Sequence, residues 1–163
     1  MGDEKIDNKI EELENRLEKV ERVVFSKKEE PTTLEDKKKE LADKMDVEVE
    51  GLEKVIDFEA DRPYILPEIP GDTQKEKQQN FATLFLVVMK HCYGTDSIEA
   101  RELVEIVKNR GFYNTKFGNN LKSHRPYLRQ IGKTKSPKSS YKITHPKGTN
   151  KGLELLNTLI SST

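Results

Sequence analysis

The fold of this chain is decided by residues 96–123, which read DSIEARELVEIVKNRGFYNTKFGNNLKS. Asp96 can accept hydrogen bonds at the start of a helix, and Glu99, three residues later, completes a capping box. Gly111 is expected to end this helix, because glycine readily takes the left-handed conformation that follows many helix C-termini. An apolar stripe at helical spacing predicts a buried face, formed by Ile98, Leu103, Ile106 and Val107.

A second helix is predicted in the same stretch, after Gly111. Asn114 or Thr115 is expected to cap it. Phe117 and Leu121 would then face the core, with His124 as a further candidate for that face. Asparagine can read the edge of adenine, lysine can reach guanine or phosphate, and serine can serve either, so the opposite face has the chemistry of a DNA-reading helix. That outward face would carry Lys116, Asn119, Asn120, Lys122 and Ser123.

The flanking sequence predicts a helix, a hairpin and a closing helix. Residues 74–91 carry apolar side chains at helical spacing and should form a mostly buried helix. Pro126 cannot continue a helix, so the chain is expected to turn there into two strands, the second over residues 141–144, joined by a basic tip at residues 133–140. An apolar pattern over residues 150–160 predicts the closing helix. The expected order is helix, helix, helix, hairpin, helix.

Residues 74–163 resemble the winged helix-turn-helix superfamily, with bacterial and archaeal transcription regulators as the nearest likeness. The resemblance is carried by the capped helix after Asp96, the helix with Asn119, Asn120 and Lys122, the strand over residues 141–144, and Gly148 before the last helix. It implies a DNA-binding domain whose third helix enters the major groove while the hairpin forms a wing.

The resemblance also assigns roles to individual residues. The wing lysines would follow the DNA backbone or the minor groove. Pro126 departs from the family's long continuous recognition helix, which leaves phosphate contact as the expected role of Arg125 and Arg129. The predicted DNA-binding residues are Lys116, Asn119, Asn120, Lys122, Ser123, Arg125, Arg129, Lys133, Lys135 and Lys138.

The net charge of zero hides a division along the chain. Residues 1–74 hold 13 basic and 23 acidic side chains, whereas residues 75–163 hold 16 basic and 6 acidic ones. Residues 108–151 contain 12 basic side chains and no acidic one. A solvated surface normally mixes both signs, so this run favours contact with a polyanion such as nucleic acid.

Residues 1–28 show the heptad pattern of a coiled coil. In a parallel pair, Lys9 would face Glu14 of the partner helix and Arg16 would face Glu21, whereas an antiparallel pair would oppose like charges. A lone amphipathic helix packed on its own domain is the alternative, but its polar faces are densely charged. We therefore expect a parallel homodimer. The dimerisation residues would be Ile6, Ile10, Leu13, Leu17, Val20 and Val24.

Two further segments connect the coiled coil to the basic region. Residues 29–61 are acidic and predict a small helical hairpin, with helices over residues 34–45 and 49–58. Residues 62–73 contain three prolines and predict an extended linker. The expected fold class is mainly α: an N-terminal coiled-coil helix, a small helical segment, a Pro-rich linker and a C-terminal winged helix-turn-helix domain over residues 74–163.

The sequence also limits the classes of function. No phosphate-binding glycine loop and no nucleophile-base-acid spacing is present, so we expect a non-catalytic protein without cofactor. His91, Cys92, His124 and His145 are scattered, and no metal site is expected. A single cysteine and the lack of an apolar run long enough for a membrane span predict a cytoplasmic protein without membrane contact, nucleoid-associated if prokaryotic.

The sequence therefore predicts double-stranded DNA binding by a dimeric transcriptional regulator or chromatin-associated factor. Two alternatives remain open. The winged helix could serve as a docking module of a protein-interaction adaptor, and loss of binding on charge reversal of Lys116 and Lys122 would argue against this alternative. Tyr113, Tyr127 and Tyr141 could instead stack on the bases of RNA or of a single strand, which competition between duplex and single-stranded probes would reveal.

Overall fold

The computed structural model describes residues 33–132 and 139–163. Nearly all of these residues belong to one compact unit, residues 37–163. The predicted coiled coil at residues 1–28 and the tip of the predicted wing, with Lys133, Lys135 and Lys138, lie outside the described residues. The helices are α1 (Leu34–Met45), α2 (Val49–Val55), α3 (Gln74–Cys92), α4 (Ala100–Asn109), α5 (Phe117–Lys122) and α6 (Lys147–Ser161). The strands are β1 (Ile56–Phe58), β2 (Pro63–Ile65), β3 (Ser97–Glu99), β4 (Leu128–Ile131) and β5 (Ser140–Ile143).

The acidic segment contains two helices and a small hairpin. α1 and α2 confirm the predicted helices over most of their length, but the second helix ends at Val55 rather than at residue 58. β1 and β2 form an antiparallel pair with Ile56 opposite Ile65. Both side chains are buried, so the pairing adds apolar contact that a helix continued through residue 58 would lose. Part of the predicted Pro-rich linker is therefore a strand. The independent folding of residues 74–163 stays a prediction.

α3 forms the centre of the core, and its bounds confirm the predicted helix to within one residue. Thr73 Oγ1 accepts a hydrogen bond from the Glu76 backbone N–H at 3.2 Å, which caps the helix. All residues from 81 to 89 are buried, because neighbouring elements cover several sides of the helix. α6 lies against α3 so closely that a Cβ on Gly152 would be 2.6 Å from Val87 Cβ.

A three-stranded antiparallel sheet follows α3, in the order β3-β5-β4. The β4–β5 pair confirms the predicted hairpin, and α6 confirms the closing helix, which begins at Lys147. The prediction of a capping box at Asp96 and Glu99 is wrong, because residues 97–99 form β3 and α4 begins only at Ala100. The backbone of Asp96 is used by the sheet instead: its carbonyl accepts a hydrogen bond of 3.0 Å from the Ile143 N–H. A long-range strand pairing thus overrides a local helix signal.

The described residues therefore form a mainly helical fold with small antiparallel sheets, in the order α1-α2-β1-β2-α3-β3-α4-α5-β4-β5-α6. Among residues 33–132 and 139–163, no helix combines the length and the apolar character needed to cross a membrane.

Candidate nucleic-acid interface

The short helix α5 is fixed to the core by its apolar side. Asn114 Oδ1 accepts a hydrogen bond of 3.0 Å from the Lys116 N–H, which organises the turn that leads into the helix. Phe117 and Leu121 are each 1% exposed, so the predicted inward face is confirmed. The helix ends before Pro126, as expected because proline cannot donate a backbone hydrogen bond.

Two buried glutamines of α3 hold the polar edge of α5. Gln78 Oε1 accepts a hydrogen bond of 2.8 Å from Asn120 Nδ2, and Gln78 Nε2 donates one of 2.8 Å to the Phe112 carbonyl. Gln79 Nε2 donates to the Asn120 carbonyl at 2.7 Å and to Ser123 Oγ at 3.3 Å. Because buried amides are costly without partners, these bonds fix both the position and the rotation of α5.

Sequence reasoning missed both glutamines. Gln78 precedes Phe81 by three residues and Phe85 by seven, so the helical period places it on the buried face of α3. A glutamine on such a face needs hydrogen-bond partners. The position of Gln78 on that face could have indicated a buried polar contact, although it does not identify the partner helix.

The exposed face of α5 is centred on Asn119. Helical geometry places Asn119 opposite Phe117 and Leu121, with Lys116 on one side of it and Lys122 on the other. Lys116, Asn119 and Ser123 are exposed, and Lys122 is partly so. The structure therefore brings these four predicted residues to one face, here called the α5 face.

Asn120 differs from the expectation. Its side-chain amide donates to Gln78 and so turns toward α3 rather than outward. Asn119 is thus the asparagine whose side chain is on the α5 face, while Asn120 fixes the helix. Ser123 lies at the end of the face, and its hydroxyl donates a hydrogen bond of 2.9 Å to the Asn120 carbonyl.

Arg125 and Arg129 occupy different surroundings. Arg125 is exposed in the loop that follows α5. Arg129 is exposed on β4, and its partner in the register is Lys142 of β5. The next pair along the two strands is Gln130 with Tyr141. Since side chains alternate along a strand, Arg129 lies on the sheet face opposite Tyr141. A Cβ on Gly118 of α5 would be 3.8 Å from Tyr141 Oη, so Arg129 is turned away from α5.

Some cations of the basic run serve the fold. Arg110 Nη1 and Nη2 donate to the carbonyls of Ile65 and Pro67, and its guanidinium lies against the ring of Phe81. Burial lowers the pKa of Arg110 from its ordinary value. Lys142 Nζ lies 3.4 Å from Asp96 Oδ2. Arg110 is therefore a structural residue, and the side chains of the α5 face are better placed to meet a polyanion.

His91 and His124 are uncharged at neutral pH. Burial, with smaller contributions from nearby lysines, lowers the pKa of each to about 4, and the Nε2 atom of each is buried without a hydrogen-bond partner. His124 follows the α5 face and so adds no charge to it. Across residues 33–132 and 139–163, no group of three or more His, Cys, Asp and Glu side chains could hold a metal ion.

The low pKa values of these two histidines predict that acid destabilises the folded protein. Their pKa in the folded protein, about 4, lies below the ordinary value of 6.5, so the stability they contribute is fully present above pH 6.5 and is lost as the pH falls toward 4. Urea denaturation at pH 7 and pH 5 should show a loss of about 1 kcal/mol per histidine, after allowance for solvent screening. His91→Gln with His124→Gln should reduce this loss, and an equal loss in the variant would contradict the assignment.

The described residues thus include a short, firmly anchored helix whose exposed face combines lysines with an asparagine and a serine. Comparisons of the chain with models of known protein families, with curated proteins and with solved structures found no match. The chemistry of the α5 face is therefore the main guide to function.

Proposed function

We propose that residues 74–163 form a winged helix-turn-helix domain that binds double-stranded DNA, with α5 as its recognition helix. In helix-turn-helix proteins the second helix of the motif lies in the major groove, and α4 and α5 are successive helices joined by residues 110–116. The β4–β5 hairpin follows α5 and would serve as the wing. The element order and the β3-β5-β4 sheet support this proposal.

The observation that carries the proposal is the α5 face. Its core side and its polar edge are both fixed, so the backbone of α5 needs no further ordering when a ligand binds. Lys116, Lys122 and Arg125 would neutralise phosphates and supply most of the affinity through release of counterions. Asn119 and Ser123 would contact base edges and supply the sequence preference.

Self-association would complete the binding unit. A parallel coiled coil over residues 1–28 would join two copies of the chain, as its charge pattern favours. Two recognition helices related by a two-fold axis match a pseudo-palindromic DNA site. The proposed function is therefore non-catalytic DNA binding by a dimeric transcriptional regulator or chromatin-associated factor.

The experiment is a fluorescence anisotropy titration of a labelled, mixed-sequence duplex with the full chain. Unlabelled duplex and unlabelled single strand of the same sequence serve as competitors. Displacement by duplex at much lower concentration than by single strand is expected, because α5 would enter a groove that only the duplex has. Equal or better displacement by the single strand would instead favour stacking on exposed tyrosines.

A further inference from the structure

A cleft lies where the end of α3 meets β4 and β5, and its lining combines three cationic side chains with Ile143 and Thr144. Its volume is about 380 Å³, inside the range of roughly 300–1,000 Å³ that is usual for small-molecule sites. Lys90 of α3, Arg129 of β4 and Lys142 of β5 line it, together with His145 and the carboxylate of Asp96. Three cationic side chains thus face one anionic side chain in a space large enough for a ligand.

Arg129 and Lys142 form a like-charge pair across the β4–β5 hairpin. They are direct partners in the antiparallel register of β4 and β5, so their side chains share one sheet face. Like charges at such positions are destabilising. Asp96 pairs with Lys142, whereas the Arg129 guanidinium has no ion pair or hydrogen bond with any residue in 33–132 or 139–163. A bound anion would neutralise this remaining charge.

Two other nitrogen groups of the cleft are held in place by a buried hydroxyl. Thr149 Oγ1 lies 3.3 Å from Lys90 Nζ and 3.3 Å from His145 Nδ1, and Thr149 is 1% exposed. The cleft is therefore partly ordered before any ligand arrives, which reduces the entropic cost of binding.

We propose that this cleft binds the phosphate group of a small phosphorylated molecule. Arg129 donates to the phosphate oxygens in a charge-assisted, bidentate geometry, while Lys90 and Lys142 add positive charge around it. Arg129 and Lys142 lie on the sheet face opposite Tyr141, and therefore away from the α5 face. The cleft and the α5 face are thus separate sites, and the inference does not rest on DNA binding.

Titration of the full chain with sodium phosphate at constant ionic strength, followed by ¹H–¹⁵N NMR, tests the proposal. The amide signals of Arg129, Lys142 and His145 should shift saturably at millimolar phosphate. Arg129→Gln should weaken this binding by about 10-fold or more, because the charge-assisted, bidentate contact of the guanidinium is lost. Lys54→Gln, which removes an exposed charge on α2, should leave the binding unchanged.

Two results would overturn the proposal. Shifts that do not saturate would mean that phosphate associates only non-specifically, and saturable shifts that are the same in Arg129→Gln would mean that the bound phosphate does not contact Arg129. A second titration uses a short DNA duplex in place of phosphate. If the duplex shifts the cleft signals and free phosphate does not, the ligand is the phosphodiester backbone and the cleft belongs to a DNA-binding surface.

Discussion

Charge reversal of Lys116 and Lys122 to glutamate is expected to weaken duplex DNA binding by about 100-fold or more at moderate salt. Each substitution removes one cation that would contact a phosphate, and each adds a carboxylate that the same phosphate repels. Both side chains flank Asn119 on the α5 face, and Phe117 and Leu121, which anchor the helix, stay unchanged. The loss should therefore come from electrostatics rather than from unfolding. Anisotropy with a labelled mixed-sequence duplex measures it.

The matched control is charge reversal of Lys39 and Lys54. Both are exposed lysines on α1 and α2, and their reversal changes the net charge by the same amount. The control should bind DNA within a few-fold of the wild type, since long-range repulsion between exposed charges is largely screened. Thermal unfolding of both variants shows whether they remain folded. Equal loss of binding in the two variants would mean that net charge, not the α5 face, controls binding.

Gly152→Ala is expected to lower the free energy of unfolding by about 3 kcal/mol. In an exposed helix, alanine would be more stable than glycine by about 1 kcal/mol. Here the new Cβ would lie 2.6 Å from Val87 Cβ and 2.7 Å from Val87 Cγ1. The two Cβ atoms are bonded directly to the backbones of α6 and α3, so side-chain rotation cannot move them apart. The two helices would therefore have to separate. The steric effect therefore exceeds the gain in helix propensity.

Gly51→Ala provides the comparison for Gly152. Gly51 also lies in a helix, but its added Cβ would be 3.4 Å from Ile160 Cγ2, which is ordinary van der Waals contact. This variant should be as stable as the wild type or slightly more stable. Urea denaturation of both variants gives the free energies. A wild-type midpoint for Gly152→Ala would contradict the close contact between α3 and α6.

Elements with a clear helical period could be predicted from the sequence. α3 and α6 follow repeating apolar positions over many residues, and Phe117 with Leu121 marks the buried side of α5. The period also predicted that Lys116 and Asn119 lie outward. These results depend on geometry within one helix, which local sequence specifies.

Elements that depend on distant partners could not be predicted. β1 and β3 have three residues each, too few to show an alternating period. Asp96 and Glu99 have the spacing of a capping box, yet β5 provides partners for that backbone and the helix starts later. The orientation of Asn120 likewise depends on Gln78, which is 42 residues away. Local patterns cannot reveal which separated segments come together.

The most direct measurement of the central claim is the affinity of the wild-type chain for mixed-sequence duplex DNA at several salt concentrations. If about six phosphates are neutralised, the logarithm of the association constant should fall with the logarithm of salt at a slope of about −5. Such a slope is the expected result for Lys and Arg side chains that displace counterions. No measurable binding at low salt would contradict the account, and the α5 face would then have to be assigned to a protein partner.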